Sequence, residues 1–333
     1  MPKRILTGDR PTGRLHLGHY VGSLKNRLEL QDKFEVFLLV ADLHALTTNI
    51  NTSQLPQNVK DLVLDQLSVG IDPKKVTFCL QSAIPEDQEL AVILSMLVQK
   101  PRLERIPTLK DMLRDLKIEN PSLGLLSYPV LQAADILMVG ADLVPVGKDQ
   151  ASHIELTREV AQKFNSTYKE IFSIPDALIP REVGVLPGID GRTKMSKSLN
   201  NAIFLSDDKP AVKEKVMKMY TDPTRIHPSN PGHVEGNPVF IYLDAFGSTG
   251  SPQVRQKIVE YKKRYQEGKV GDIEVKKFLV AVLDKFLDPI RRRRAKLGQE
   301  KGMVEKILDE GSKKARTEAI KTLERVKEAM GLL

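Results

Sequence analysis

The segment RILTGDRPTGRLHLGH at residues 4–19 joins a short apolar run, a turn rich in glycine and proline, and the beginning of a helical pattern. We predict a strand at residues 4–7, a turn at 8–13 and a helix at 18–33. A helix that starts directly after a strand presents unpaired backbone N–H groups, which bind anions. The segment therefore predicts an α/β fold with an anion-binding turn near its N-terminal end.

The alternation of strands and helices continues beyond this segment. Apolar runs at residues 34–41 and 76–80 predict two more strands, and spaced leucines and valines at 55–69 predict a helix between them. Strands that are apolar throughout are typical of a parallel sheet covered by helices on both faces. We therefore expect an α/β fold with a doubly wound, Rossmann-like parallel sheet in residues 1–205, whose ligands bind beyond the carboxyl ends of the strands. A helical insertion is expected at about residues 84–127.

After residue 206 the strand pattern fades. Helical stretches are predicted at 209–220, 254–286 and 301–330, and an irregular connection at 221–238. We expect a second, mainly helical domain at 206–286 and a C-terminal helical segment at 287–333 that packs back toward the first domain. Exposed apolar residues of the insertion suit a dimer contact, but a helical hairpin packed on its own domain is an equally open interpretation.

The chain of 333 residues carries a formal charge of +8, and its only cysteine is Cys79. A basic surface suits a polyanionic partner such as nucleic acid, although a generally lysine-rich surface explains the charge as well. One cysteine excludes an intramolecular disulfide and a cysteine zinc cluster, and the apolar neighbours of Cys79 predict a buried thiol on a strand. Without an apolar run of about 18 residues or room for a signal peptide, we expect a cytoplasmic protein with no membrane contact.

The histidine motif, His16-Leu-Gly-His19, lies at the predicted start of the first helix. His16 and His19 are able to donate hydrogen bonds to phosphate oxygens without a fixed full charge, and Gly18 allows a base or a ribose to approach the backbone. The motif predicts a nucleotide site. The other interpretation, two surface histidines beside a helix cap, is disfavoured by the strand–turn–helix context.

The lysine motif, Lys194-Met-Ser-Lys-Ser198, follows glycines that permit a mobile loop. Its two lysines, Lys194 and Lys197, are able to neutralise charge that moves to a leaving pyrophosphate. On its own the motif is typical of a solvated basic loop, but its combination with the histidine motif favours a catalytic role.

A third candidate site lies within an apolar helical stretch. Tyr128, Gln132 and Asp135 are spaced four and three residues apart and therefore share one helix face. A carboxylate in such surroundings is costly unless it has a partner. Asp135 therefore receives a ligand N–H, pairs with a buried lysine or lies at the helix surface. His44, after the second strand, either contacts a ligand at the sheet edge or is a satisfied structural histidine.

At the histidine and lysine motifs the chain resembles the class I aminoacyl-tRNA synthetases, and in length and motif order it is similar to their tryptophanyl family. Further similar blocks are TGDRPTG at 7–13, YPVLQAADIL at 128–137, VGKDQ at 146–150 and HIELTR at 153–158. The resemblance implies a ligase that activates L-tryptophan with ATP and Mg²⁺ and transfers it to tRNA(Trp). It also implies a homodimer whose helical domain reads the anticodon, and no metal site formed by the protein itself.

The resemblance implies roles for individual residues as well. The ATP site would comprise Arg10, Pro11, Thr12, Gly18, His19, Gly147, Lys148, Asp149, Val185, Lys194, Met195, Ser196, Lys197 and Ser198. The catalytic residues would be His16, His19, Lys194 and Lys197. The tryptophan pocket would comprise Leu6, His44, Tyr128, Gln132, Asp135 and Gln150. In this family the aspartate at the place of Asp135 accepts the indole N–H.

Three other functions remain open at this point: a tyrosyl enzyme with the same fold and chemistry, a nucleotidyltransferase that shares the histidine motif, and an RNA-binding protein with an inactive site. The blocks at 133–137 and 149–156 favour tryptophan over tyrosine. The helical second half and the intact motifs disfavour the other two. The basic run Arg291-Arg-Arg-Arg294 either contacts tRNA phosphates or is a solvated helix face.

Overall fold

The computed structural model describes residues 2–147, 150–179, 184–197, 199–247 and 251–332. Its strands are β1 (Arg4–Asp9), β2 (Glu35–Val40), β3 (Val76–Leu80), β4 (Leu143–Pro145) and β5 (Asp176–Leu178). Within the described ranges they form one parallel sheet of five strands in the order β3-β2-β1-β4-β5. The order reverses between β1 and β4, so the predicted doubly wound α/β fold is confirmed.

The three strands predicted in the first part of the chain are present, and β1 is longer than predicted. It pairs with β2 along its whole length, up to Asp9 opposite Val40. The prediction that a turn begins at residue 8 is therefore wrong, because Gly8 and Asp9 still belong to the strand. Gly8 fits this position because an added Cβ would lie 2.6 Å from the carbonyl oxygen of Leu39. Cys79 is buried on β3, as predicted.

Helices cover the sheet and form most of the second half. Those before residue 170 are α1 (Leu17–His19), α2 (Lys25–Leu30), α3 (Asp42–Ala45), α4 (Leu55–Val69), α5 (Pro85–Ser95), α6 (Lys100–Glu104), α7 (Pro107–Asp115), α8 (Leu123–Met138) and α9 (Ala151–Thr167). A π-helical segment, Tyr20–Leu24, joins α1 to α2, so the helix predicted at 18–33 is present with a local irregularity.

The later helices are α10 (Lys209–Met217), α11 (Pro238–Gly247), α12 (Pro252–Gln266), α13 (Asp272–Gln299) and α14 (Met303–Met330). No helix in the described ranges is both long and apolar enough to cross a membrane.

The helical stretch predicted at 254–286 consists of two helices, because the chain turns between α12 and α13. Gly268 has a φ of +68° in this turn, and a Cβ on it would lie 2.2 Å from the carbonyl oxygen of Ser229. α13 continues to Gln299, so the domain boundary expected between residues 286 and 287 falls inside one helix. The division into domains remains a prediction.

The last helix, α14, covers the outer edge of the sheet beside β3. Gly311 contacts the backbone of Phe78, where an added Cβ would lie 1.8 Å from the carbonyl oxygen. The N–H of Leu80, on the outermost strand, donates to Ser312 Oγ at 2.9 Å. α14 therefore occupies an edge at which another strand could otherwise pair.

Candidate active site

A cavity of about 450 Å³ opens at the carboxyl ends of β1 and β4, where the strand order reverses. This is the place at which a doubly wound sheet binds its ligands. The lining residues that the sequence analysis had selected are Leu6, Arg10, His44, Tyr128, Gln132, Asp135, Gly147 and Gln150. All six residues expected in the amino-acid pocket therefore line one cavity.

Asp135, on α8, has only 2% of its surface exposed. Its Oδ2 lies 2.8 Å from His44 Nε2, and its Oδ1 accepts a hydrogen bond of 2.7 Å from Gln81 Nε2. The alternatives of a position at the helix surface and of a lysine partner are therefore wrong. Each carboxylate oxygen has two lone pairs, so Asp135 retains capacity for one more donor from the cavity.

Gln81 and Asp87 belong to this network and were missed by the sequence analysis. Asp87, on α5, is fully buried beside Asp135; burial and then the charge of Asp135 raise the pKa of Asp87 well above its usual value. Asp135 already has two nitrogen partners, whereas burial favours the protonated form of Asp87. Gln81 directly follows β3, so the rule that selected His44 from the carboxyl end of a strand could have selected Gln81 too.

An ion pair between the buried Arg27 and the partly buried Asp9 holds the end of β1. Arg27, from α2, pairs with Asp9 and donates to Thr7 Oγ1 and to the Gly8 carbonyl, both at 3.1 Å. Burial opposes ionisation of Asp9, but the charge of Arg27 holds the pKa of Asp9 below its usual value. Arg10 directly follows Asp9, so the ion pair fixes the start of the turn that contains Arg10. The sequence analysis had missed both residues of the pair.

The two histidines of the histidine motif contact each other, with ring centroids 3.7 Å apart. The His16 N–H donates to His19 Nδ1 at 3.1 Å. Burial, with the nearby His19 and lysine charges, lowers the pKa of His16 to about 3. Burial also lowers the pKa of His19, to about 4. Both rings are therefore neutral at pH 7, and the alternative of surface histidines is wrong for His16, which is buried.

The lysine motif lies against the turn that precedes the histidine motif. Lys197 Nζ donates to the Gly13 carbonyl at 2.8 Å and to Thr12 Oγ1 at 3.2 Å. The Gly18 N–H contacts Met195 Sδ at 3.3 Å. Burial lowers the pKa of Lys197 to about 8. Two motifs separated by more than 170 residues are thus in direct contact.

The other residues expected at the ATP site have varied positions. Arg10 and Gly147 line the cavity, whereas the side chains of Lys194 and Val185 are exposed and do not. Pro11 is buried in the turn before Thr12, and the Ser196 N–H donates to Asn201 Oδ1 at 2.8 Å. Lys148, Asp149 and Ser198 lie outside the described residues.

The helical insertion forms one wall of the cavity. Thr108 and Met112, both on α7, line it beside Tyr128. Thr108 Oγ1 lies 2.5 Å from His153 Nε2, and the Tyr128 hydroxyl lies 3.4 Å from the same nitrogen. The insertion therefore joins the hydrogen-bonding cluster of Tyr128, one of the side chains assigned to the amino-acid pocket.

Comparison with known proteins points in the same direction as this geometry. The family model described as tRNA synthetases class I (W and Y) matches residues 1–288. The tryptophan–tRNA ligase of Treponema pallidum is 54% identical over 332 residues, covering 99% of this chain and 97% of that protein. The tryptophan–tRNA ligase of Borreliella burgdorferi is 50% identical over 337 residues, covering 99% of this chain and 94% of that protein.

A solved structure agrees along the full length. The tryptophanyl-tRNA synthetase of Campylobacter jejuni, crystallised with ADP and tryptophan, has a TM-score of 0.87 and 35% sequence identity, and the match covers 98% of this chain and 99% of that one. The chain therefore belongs to the class I tRNA synthetases of the tryptophan and tyrosine family, and within it to the tryptophanyl-tRNA synthetases.

Proposed function

We propose that the protein is a tryptophan–tRNA ligase, which activates L-tryptophan with ATP to tryptophanyl-adenylate and pyrophosphate and then transfers tryptophan to the 3′-terminal adenosine of tRNA(Trp). The observation that carries the proposal is the cavity lined by Tyr128, His44 and the buried acid Asp135, together with the contact between the histidine and lysine motifs. The relatives named above carry the same activity in their names.

Tryptophan recognition rests on the one N–H of the indole ring. Asp135 accepts from Gln81 and lies within hydrogen-bond distance of His44, and its remaining lone pairs would accept the indole N–H. Leu6 and Ile136 offer apolar contact to the ring faces, and Tyr128, Gln132 and Gln150 line the rest of the pocket. A site built around a hydrogen bond strongly rejects analogues that lack the group.

In the first step a carboxylate oxygen of tryptophan attacks the α-phosphorus of ATP. One P–O bond forms and the bond to the β-phosphate oxygen breaks, so pyrophosphate leaves with the electron pair. The carboxylate is already ionised at pH 7, and no general base is required. The protein contributes orientation and charge stabilisation.

The two motifs supply these contributions. His16 and His19 are neutral and would donate N–H groups to phosphate oxygens beside the α1 N-terminus. Lys194 and Lys197 would neutralise charge on the leaving pyrophosphate. Lys197 contacts Thr12 and Gly13, which belong to the turn after Arg10. The lysine would therefore approach the nucleotide from the side of this turn.

We propose that Mg²⁺ accompanies ATP and is bound mainly through the phosphates, where it supplies further charge neutralisation. Mg²⁺ in proteins is commonly held by substrate phosphates and few side chains. Among the described residues, no group of three or more His, Cys, Asp or Glu side chains is arranged to hold a metal ion.

In the second step the terminal ribose hydroxyl of tRNA(Trp) would attack the adenylate carbonyl and release AMP. The net charge of +8 suits this polyanionic partner. We further propose a homodimer, because the insertion leaves Val92, Met96 and Leu123 exposed. We propose that the protein functions in the reducing cytoplasm, because its one cysteine, Cys79, is a buried free thiol.

Amino-acid-dependent ATP–pyrophosphate exchange tests the proposal. We expect exchange with L-tryptophan. With L-tyrosine at equal concentration the exchange rate should be at least about a thousandfold lower, because the phenol presents a different donor geometry to Asp135. The chain contains no tryptophan, so ligand fluorescence reports binding with little protein background. Equal exchange with tyrosine, or none with either amino acid, would reject the assignment.

A further inference from the structure

Asp65, on α4, is a buried acid that the proposed chemistry does not use. Its surface is 0% exposed. Its Oδ2 accepts a hydrogen bond of 2.7 Å from the backbone N–H of Leu15, and its Oδ1 accepts one of 2.6 Å from Arg294 Nε. Asp65 therefore joins the residue directly before His16 to a helix of the second half of the chain.

The segment that Asp65 contacts carries the histidine motif. The Leu15 carbonyl accepts from the Leu205 N–H, and the Leu17 N–H donates to the Ile203 carbonyl, both at 2.9 Å. Residues 203–205 hold one side of this segment, and Asp65 supplies the remaining acceptor for the Leu15 N–H. The backbone position of His16 thus depends on the Asp65 carboxylate as a hydrogen-bond acceptor.

The basic run of α13 supplies the charge that Asp65 needs. Arg294 also pairs with Asp61, and Arg293 donates to the Ser68 carbonyl at 2.6 Å. Arg291 donates to the Asp207 carbonyl at 3.2 Å. Three of the four arginines therefore donate to oxygens of the protein, which argues against both interpretations of the run as a whole, a tRNA-phosphate site and a solvated helix face.

Arg292 differs from its neighbours in the run. Its side chain is 80% exposed and pairs with Asp288 one turn earlier on α13. Its ion pair lies within its own helix, and it serves as a matched control for Arg294.

We propose that Asp65 and Arg294 are positioning residues for adenylate formation: Arg294 keeps Asp65 ionised, and Asp65 holds the Leu15 N–H and with it His16. A buried carboxylate without a cation is costly and takes up a proton. A protonated Asp65 is a weaker acceptor, because hydrogen bonds to ionised groups are the stronger ones. α13 thereby influences the nucleotide site without contacting the nucleotide.

The charges around Asp65 come from three directions. Arg294 approaches from α13, Asp61 from the preceding turn of α4, and the charge of Lys197 acts from the lysine motif. Burial is the largest influence on Asp65 and raises its pKa, and the Leu15 N–H and Arg294 partly offset it. Removal of Arg294 leaves Lys197 as the remaining cation among these neighbours.

The inference rests on the proposed function, and pyrophosphate exchange with tryptophan tests both. We expect Arg294→Ala to lower kcat/KM for ATP by about tenfold or more, as a small displacement of a reacting group does. The Kd of tryptophan should change by less than about twofold, because neither Asp65 nor Arg294, nor the Leu15–His16 segment, lines the cavity that contains Asp135. Arg294→Lys should restore part of the loss, and Arg292→Ala should match the unaltered chain.

A pH profile separates positioning from general destabilisation. In Arg294→Ala, kcat/KM for ATP should fall as the pH decreases through the raised pKa of Asp65, because protonation then weakens the Leu15 contact. Asp65→Asn/Arg294→Ala should lack this acid limb. If Arg294→Ala does not fold, Asp65→Asn and Arg294→Lys allow the same comparison, because both substitutions nearly conserve the volume of the side chain.

Three outcomes are distinguishable. If the unaltered chain shows no tryptophan-dependent exchange, the proposed function fails. If it does, and Arg294→Ala and Asp65→Asn both keep kcat/KM for ATP per folded site, the positioning role is overturned. An equal loss for ATP and tryptophan binding, without an acid limb, would likewise overturn it and leave Arg294 as a purely structural contact.

Discussion

Asp135 is bound by protein side chains on both of its oxygens. His44 lies 2.8 Å from one oxygen and Gln81 donates to the other, and burial beside Asp135 raises the pKa of Asp87. These contacts offset the cost of burying the charge and also prevent the side chain from rotating away from the cavity. The pocket therefore presents an oriented acceptor, and a ligand N–H needs only to complete a network that already exists.

Asp135→Asn tests this acceptor. The asparagine keeps the shape but replaces one acceptor oxygen by an NH₂ donor, which would face the indole N–H. We expect kcat/KM for tryptophan to fall by about a hundredfold, with the KM of ATP within about threefold of the unaltered value, as measured by pyrophosphate exchange. Asp111→Asn on the exposed face of α7 is the control. An unchanged KM for tryptophan would remove Asp135 from the pocket.

The lysines of the lysine motif should act through their charge. Lys194→Ala and Lys197→Ala should each slow adenylate formation by about tenfold or more, consistent with loss of transition-state charge contacts. Near-normal exchange in both variants would reject that role. Rapid-quench measurement of adenylate separates this step from product release.

Lys197 should also confer a pH dependence. Its pKa is lowered to about 8 by burial, so the free enzyme loses this positive charge as the pH rises through about 8. We therefore expect kcat/KM for ATP to decline above that pH, since this parameter reports groups of the free enzyme. In Lys197→Arg the decline should disappear, because arginine stays protonated. A profile that is identical in both proteins would assign the alkaline limb to another group.

The contact between α14 and β3 tolerates little increase in side-chain size. Gly311→Ala would place a Cβ 1.8 Å from the carbonyl oxygen of Phe78, so helix and strand must separate. We expect a loss of about 2–4 kcal/mol in the free energy of unfolding. In Gly298→Ala, on α13, the new Cβ meets no atom within 4 Å, and helix propensity predicts a gain of about 0.5–1 kcal/mol. Urea denaturation measures both; equal effects would contradict the close contact.

Elements with a local signal could be predicted from the sequence. β2 and β3 are runs of apolar residues, and each lies within one residue of its predicted bounds. The carboxyl end of β1 illustrates the limit, because Gly8 and Asp9 are residue types that favour turns but pair with Leu39 and Val40. Tertiary pairing overrides local preference there.

Site residues followed the same rule. Among the residues predicted from a motif or from a strand end, Arg10, His44 and Asp135 line the cavity, and their roles stay predictions. Thr108 and Met112 were not, because they reach the cavity only through the way in which α7 packs, and no spacing in the sequence records that. Ion pairs such as that of Arg27 with Asp9 were not predicted for the same reason.

The second half of the chain is tied to the first by α13 and α14 rather than by a flexible linker. α13 contacts α4 through Arg293 and Arg294, and α14 contacts the sheet edge through Gly311 and Ser312. A movement of the helical part would therefore act on the Leu15–His16 segment and on β3 together.

Dimerisation through the insertion is the last prediction. α5 and α8 pack against each other, and Met96, directly after α5, and Leu123, at the start of α8, are exposed by 74% and 79%. A glutamate at either position would place a charge in an apolar interface, and we expect Met96→Glu and Leu123→Glu each to weaken the dimer by about a hundredfold. Sedimentation velocity should show a dimer for the unaltered chain and monomers for both variants at the same micromolar concentration. Ile226→Glu, with an equally exposed apolar residue outside the insertion, should remain dimeric. A monomeric unaltered chain, or dissociation by all three variants alike, would show that the insertion does not form the interface.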